Sequence, residues 1–364
     1  MSLLRILCFA GCTGALLAQT PVLLNGWTVE DYAGTPGGSW TVAANGSSVS
    51  QSVNGVPTVF IGDSLVSYRR FEGRVTVTSG SDDDFFGFVL GFRPGDATNP
   101  NAEYLLIDWK RSTQFYNHGG ISCTPGSTAQ AGLALSRVVG VPTMDELWGH
   151  VDLNTAPCST AMDFVAEVQR GATLGASGWA RNQTYTFRID YTPNRVAVYV
   201  DAVLQIDVQG AFPEGRLGFY NFSQAGVTYS AFTSDCIASW SSYGAGFPGT
   251  AGVPSLLPDR LPQLGSVVGL QMSNASPSAQ IGALVFGVLR QNLPTGYGGS
   301  LLVQVISSEA LSLPVSPGVG LRNLPIPLDP AFCGLLLHVQ GAHFDVGASS
   351  GLAFTRGLTL ALGN

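Results

Sequence analysis

The chain has 364 residues, of which 45 % are hydrophobic and only 11 % charged, with a net charge of −7. That is ample apolar material for real cores. The absence of a basic stripe excludes nucleic acid and anionic membrane as partners. Gly (46) and Pro (21) punctuate the chain densely, and no window sustains a 3.6-residue apolar period, so short strands and turns are expected rather than helices.

In chain order, the first element is a targeting segment. Arg5 supplies the positive end, Ile6 to Leu17 is apolar and small, and Leu16-Leu17-Ala18 offers a cleavage site before Gln19. Residues 1–18 are therefore read as a signal peptide, with a lipidated Cys12 as the alternative. No later run reaches the ~18–20 apolar residues of a spanning helix, so the mature protein is expected outside the cell or at its surface, with no membrane span. Four cysteines follow the signal. Cys123 and Cys158 flank one loop-rich insertion and are expected to bridge; Cys236 and Cys333 either pair or stay free.

From about residue 23 to 237 apolar residues recur at period two. Phe71 to Thr78 places Phe71, Gly73, Val75 and Val77 on one face and Glu72, Arg74, Thr76 and Thr78 on the other, the mark of a half-buried antiparallel strand. Thr184 to Thr192 does the same with Tyr185, Phe187, Ile189 and Tyr191, and turns lead into Arg195 to Val200 and Val203 to Val208. Phe85 to Phe92 is apolar on both faces, as a central strand of a two-layer stack is. An all-β protein built as a β-sandwich follows. Residues 238–264 are rich in Gly and Pro and read as a boundary. Residues 265–364 carry further short apolar runs and read as a second, smaller β-sandwich.

Just before the doubly apolar strand stand Asp82, Asp83 and Asp84. At ~6 Å and a water-like dielectric each adjacent pair of carboxylates repels by roughly 0.7 kcal/mol. A divalent cation reverses that sign, and Ca²⁺, which takes 6–8 oxygens in flexible geometry, suits a turn offering carboxylates and backbone carbonyls. The competing reading is a solvated hairpin tip, since Asp is a common turn residue.

The residues around the aspartates carry a resemblance. Phe71-Glu72-Gly73, Asp82-Asp83-Asp84-Phe85-Phe86-Gly87-Phe88, Gly91-Phe92, Tyr104 to Trp109-Lys110, Leu147-Trp148, Tyr185-Thr186-Phe187 and Gly215-Arg216-Leu217-Gly218-Phe219-Tyr220-Asn221-Phe222-Ser223-Gln224 follow in the order found in the C-terminal domain of thrombospondins. The resemblance covers about residues 23–237. It implies a lectin-like (concanavalin-type, jelly-roll) sandwich that binds calcium at its rim and serves adhesion and matrix contacts. Carried over by motif, Asp82, Asp83 and Asp84 would be Ca²⁺ ligands, and Asp152 falls where the family also has an acidic residue. The reading places only a signal peptide ahead of the sandwich, so the family's EGF-like modules, Asp-rich repeats and oligomerising coiled coil are not implied. The segment from Cys123 to Cys158 also departs from the family. The tail from Ser242 resembles a β-rich appendage recurring in exported bacterial proteins.

Other chemistry fits poorly. Gly347-Ala348-Ser349-Ser350-Gly351 matches a nucleophile elbow by letter only, with no histidine beyond it. His338 and His343 lack a third ligand at zinc spacing, and His118 and His150 read as isolated loop residues. A glycosidase would need two carboxylates ~5–9.5 Å apart; Asp163 with Glu167, or Glu103 with Asp108, are weak matches near strand ends. Of the tryptophans, Trp148 and Trp179 lie in loop-rich stretches, where exposed rings would serve as sugar platforms. The leading expectation is a non-catalytic, calcium-binding adhesion module contacting an extracellular glycan or protein. The alternatives are a carbohydrate-binding module with Ca²⁺ and Trp148 or Trp179 at the sugar, and a sandwich glycosidase.

Overall fold

The computed structural model describes residues 19–32, 37–78, 82–118, 126–153, 164–273, 276, 280–313 and 319–364. The signal segment and the expected bridge between Cys123 and Cys158 lie outside the described residues. The chain divides into two units, Gln19–Ser234 and a second from Asp235 to Asn364. The second unit absorbs residues 238–264, read above as a boundary. Its strand Ser239–Tyr243 pairs with Gly357–Ala361, and Leu256–Pro258 pairs with Val267–Ser273. The Gly and Pro residues there are turns between short strands of one sandwich.

In the first unit the strands are β1 (Thr20–Pro21), β2 (Thr28–Asp31), β3 (Trp40–Val42), β4 (Ser48–Gln51), β5 (Thr58–Leu65), β6 (Arg69–Val77), β7 (Phe85–Phe92), β8 (Glu103–Lys110), β9 (Gln114–Tyr116), β10 (Ser127–Ala129) and β11 (Gly132–Val139). A short helix α1 (Met144–Gly149) follows, then β12 (Phe164–Arg170), β13 (Thr184–Thr192), β14 (Arg195–Val200), β15 (Val203–Gln209), β16 (Arg216–Phe222) and β17 (Val227–Cys236). One sheet runs β15-β14-β13-β6-β17-β4-β3 with β1 added on β17; the other runs β12-β11-β8-β7-β16-β5-β2. The alternation seen in β6 and β13 buries Phe71, Val75, Phe187 and Ile189 between the sheets, as period-two patterning requires.

β7 is the middle strand of its sheet and is buried on both faces. Phe86, Phe88 and Leu90 enter the inter-sheet core, while Phe85, Val89 and Phe92 join a second cluster on the outer face. Phe92 changes side because the pairing with β16 slips by a residue there, and Gly91 takes up the bulge at φ +75°. The outer face is roofed by Ala129 of β10 and by Leu147 and Trp148 of α1.

Periodicity did not anticipate α1, because six residues make under two turns. Its start is nevertheless written locally. The Thr143 hydroxyl accepts from the Glu146 N–H at 3.2 Å, and the Glu146 carboxylate accepts from the Thr143 N–H at 2.7 Å, a reciprocal capping box.

The second unit is a smaller sandwich. A six-stranded sheet built around Leu336–Phe344 and the three-stranded sheet of Leu256–Pro258, Val267–Ser273 and Val319–Pro325 share one aliphatic core that includes Leu270, Leu284, Leu313 and Leu360. Cys236 and Cys333 form a disulfide within it, which decides between the two expectations for that pair.

Candidate functional site: the aspartate loop and its neighbouring cavity

Asp82, Asp83 and Asp84 lead directly into β7, and each offers a carboxylate oxygen within 4.8 Å of the others. Their loop is tied down from several sides. The Asp84 N–H donates to Gln224 Oε1 at 2.9 Å. The Trp179 indole N–H donates to the Asp84 carbonyl at 2.9 Å, and the Arg111 N–H donates to the Asp83 carbonyl at 3.1 Å. The Asn54 amide donates to Asp82 and accepts from the Ser223 hydroxyl.

Beneath the loop lies the chain's one lysine. Lys110 ends β8 opposite Phe85 of β7 and is fully buried. Its Nζ reaches Asp84 Oδ1 at 2.5 Å, Asp83 Oδ1 at 3.4 Å, the Asp83 carbonyl at 3.2 Å and Gln114 Oε1 at 3.1 Å. It also stands 4.5 Å from the Trp148 ring centre and 5.4 Å from that of Phe85, within cation–π range. Sequence reasoning noted this lysine without giving it a role; its distance from the aspartates in sequence hid the contact.

Three carboxylates against one ammonium leave two negative charges when all are ionised. The strain collects on Asp82. Burial raises its carboxyl to about 6, and the Asp84 side chain hydrogen-bonded to it, together with the charges of Asp84 and Asp83, pushes the same way against the lowering effect of the Asp83 N–H. Carboxyl groups gathered this closely are eased by a shared proton or a bound cation. The donor set fits a divalent cation through side-chain oxygens. The Asp83 and Asp84 carbonyls, expected as ligands of such an ion, are already engaged by Lys110, Arg111 and Trp179.

Three expectations change. Trp148 and Trp179 are 2 % and 1 % exposed, so neither is a surface platform. Trp179 is carried into the inter-sheet core by a loop so tight that a Cβ on Gly178 would meet the Arg111 carbonyl. There it clamps the Asp84 backbone. Trp148 is held by α1, with its N–H donating to the Gln114 carbonyl at 3.2 Å. Asp152 is exposed and does not gather with the three aspartates. The chain leaves α1 through His150 at φ 52°, and His150 ties that turn to Asp108 and Glu167 instead.

The histidines read as isolated are not so. His150 is buried, with Nε2 2.9 Å from Asp108 Oδ2 and Nδ1 3.8 Å from Glu167 Oε2. Burial alone would lower its pKa, but Asp108 and Glu167 outweigh that and raise it to about 9. His118 contacts buried Asp145 at 2.7 Å. Of the carboxylates weighed for glycosidic chemistry, Glu103 pairs with Arg137, while Asp108 and Glu167 flank His150; Asp163 lies outside the described residues.

A cavity of about 400 Å³ opens beside Asp84, lined by Tyr116, Trp148 and Phe222 on the apolar side and by Asn54, Gln114 and Ser223 among the polar groups. Fold and loop together define a two-sheet jelly-roll module with an acidic loop at one end of its central strand. Residues 35–238 match the family described as the thrombospondin C-terminal region, and the chain belongs to that family. Among curated proteins it is 23 % identical over 206 residues to thrombospondin-3b of Danio rerio, covering 54 % of this chain and 21 % of that protein. It is 24 % identical over 207 residues to thrombospondin-3 of Mus musculus, covering 54 % and 20 %. Against cartilage oligomeric matrix protein of Rattus norvegicus the identity is 23 % over 209 residues, covering 54 % and 25 %. The chain thus spans about a fifth to a quarter of the length of these relatives. Among solved structures, the carbohydrate-binding module CBM66 from Bacillus subtilis aligns with a TM-score of 0.38 at 13 % identity, over 59 % of this chain and 96 % of that one. A family 16 endo-glucanase from Bacteroides ovatus aligns at 0.33 and 12 %, over 57 % and 93 %.

Proposed function

We propose that the first unit is an exported, non-catalytic, calcium-binding adhesion module of thrombospondin C-terminal type, contacting an extracellular glycan or protein. Asp82, Asp83 and Asp84 would hold the ion through side-chain oxygens, with Lys110 fixing Asp84 from below. The observation that carries this reading is the charge imbalance: three gathered carboxylates, one buried ammonium, and an Asp82 carboxyl lifted to about 6 by burial and by its neighbours. A doubly charged cation would match the deficit. The disulfide within the second unit supports export, since such bonds persist in oxidising compartments.

The test is thermal unfolding in chelator and in rising Ca²⁺. An ion bound only by the folded protein stabilises it by about 2.7 kcal/mol at a hundredfold excess over Kd, which moves the Tm of a unit this size by roughly 5–10 °C. A Tm indifferent to Ca²⁺ at neutral pH would overturn the reading.

A further inference from the structure

We propose that the cavity beside Asp84 is a binding site for a neutral sugar, seating one or two pyranose rings. This deepens the calcium-module reading by naming its ligand class, and it rests on that reading only through Asp84 and Asn54, which serve both places. At about 400 Å³ the cavity falls in the ~300–1,000 Å³ range of small-molecule sites. It would hold about a dozen waters at their liquid volume of ~30 Å³ each.

Its walls are of two kinds. Tyr116, Trp148 and Phe222 form one aromatic group, with ring centres of Trp148 5.9 Å from Tyr116 and 5.4 Å from Phe222. Facing them are amide, hydroxyl and carboxylate groups. Gln114 gives its oxygen to Lys110 and keeps its amide N–H groups without a protein partner among the described residues. Tyr116 is 49 % exposed, and its hydroxyl has no protein partner among the described residues. Ser223 sits at φ 56°, a region costly for a residue with a side chain. What that residue supplies there is the hydroxyl that donates to Asn54 at 2.9 Å.

The electrostatics choose among ligand classes. An organic cation would find the Trp148 ring, the largest aromatic of the wall, already taken by Lys110. An anion would meet the Asp84 carboxylate. A purely apolar ligand would cover Gln114, Asn54 and Ser223 without returning their hydrogen bonds. A sugar ring answers both walls, its axial C–H face lying on the half-exposed Tyr116 ring and its hydroxyls both donating and accepting.

The experiment uses the purified mature protein and the methyl glycosides of glucose, galactose, mannose and N-acetylglucosamine, followed by saturation-transfer NMR and Trp fluorescence in Ca²⁺ and in chelator. At least one glycoside should bind, and Tyr116→Ala should weaken it by about tenfold or more, as loss of a contact aromatic does. Tyr116 is half exposed, so this variant should keep the wild-type Tm; Gln114→Ala provides the polar-wall counterpart. No binding by any of the four, or binding unchanged in both variants, overturns the proposal. A Ca²⁺-indifferent Tm with glycoside binding intact in chelator would remove the calcium reading alone. A Ca²⁺-raised Tm without glycoside binding would remove this one alone.

Discussion

Strand β8 carries two buried charge clusters that solve the same problem differently. At its end, Lys110 meets Asp84 and Asp83 while Asp82 stays uncompensated. Two residues earlier, Asp108 meets His150, which also faces Glu167, itself paired to Arg170 at 2.9 Å. The second cluster balances its charges with protein groups. The first leaves a surplus of negative charge beside a cavity. A surplus that the fold does not cancel internally is where the proposed cation would sit.

The largest effect should come from removing the buried lysine. Lys110→Met leaves Asp84 buried beside its neighbours without a counter-charge, which costs about 3–5 kcal/mol for broken buried pairs. Urea unfolding measures it, and millimolar Ca²⁺ should recover part of the loss. An equal loss with and without Ca²⁺ would mean that no ion shares the Asp84 charge.

The His150 cluster should show itself through pH. Its folded value of about 9 stands above the ordinary ~6.5. Its contribution is therefore complete below pH 6.5 and disappears as pH climbs through 9, by an amount on the order of 3 kcal/mol. Chemical denaturation at pH 6 and pH 9 should reveal the fall in the wild type, and His150→Gln should flatten it. Persistence of the fall in that variant would assign it elsewhere.

A smaller effect separates the two clusters. Asp83→Asn should cut the Ca²⁺-induced rise in Tm by half or more, because it removes one of the two surplus charges, whereas His150→Gln should leave that rise intact. Asp152→Asn should shift the unfolding free energy by no more than about 0.5 kcal/mol, the ordinary range for surface substitutions, and should leave the Ca²⁺-induced rise in Tm intact. A lost Ca²⁺ response in that variant would return Asp152 to the ligand set.

Much of this was legible in the chain itself. Period-two alternation at Phe71–Val77 and Tyr185–Tyr191 and the doubly apolar Phe85–Phe92 dictated a sandwich, because side chains on a pleated strand have only two directions to go. The aspartate triplet was visible for the same local reason: adjacent like charges announce themselves without any fold. Local chemistry also wrote the cap of α1, although six residues are too few for a helical period to register.

What required the tertiary structure was everything that depends on partners distant in sequence. Lys110 lies 26 residues from Asp84, and only the antiparallel pairing of β7 with β8 brings its ammonium beneath the loop. Trp148 and Trp179, open by composition, are closed by packing, since a ring's exposure depends on what folds over it. The cavity, too, exists only where β9, α1, β16 and the turn at Asn54 converge. Short-range repulsion and alternation are properties of neighbours along the chain; compensation, burial and concavity are properties of neighbours in space.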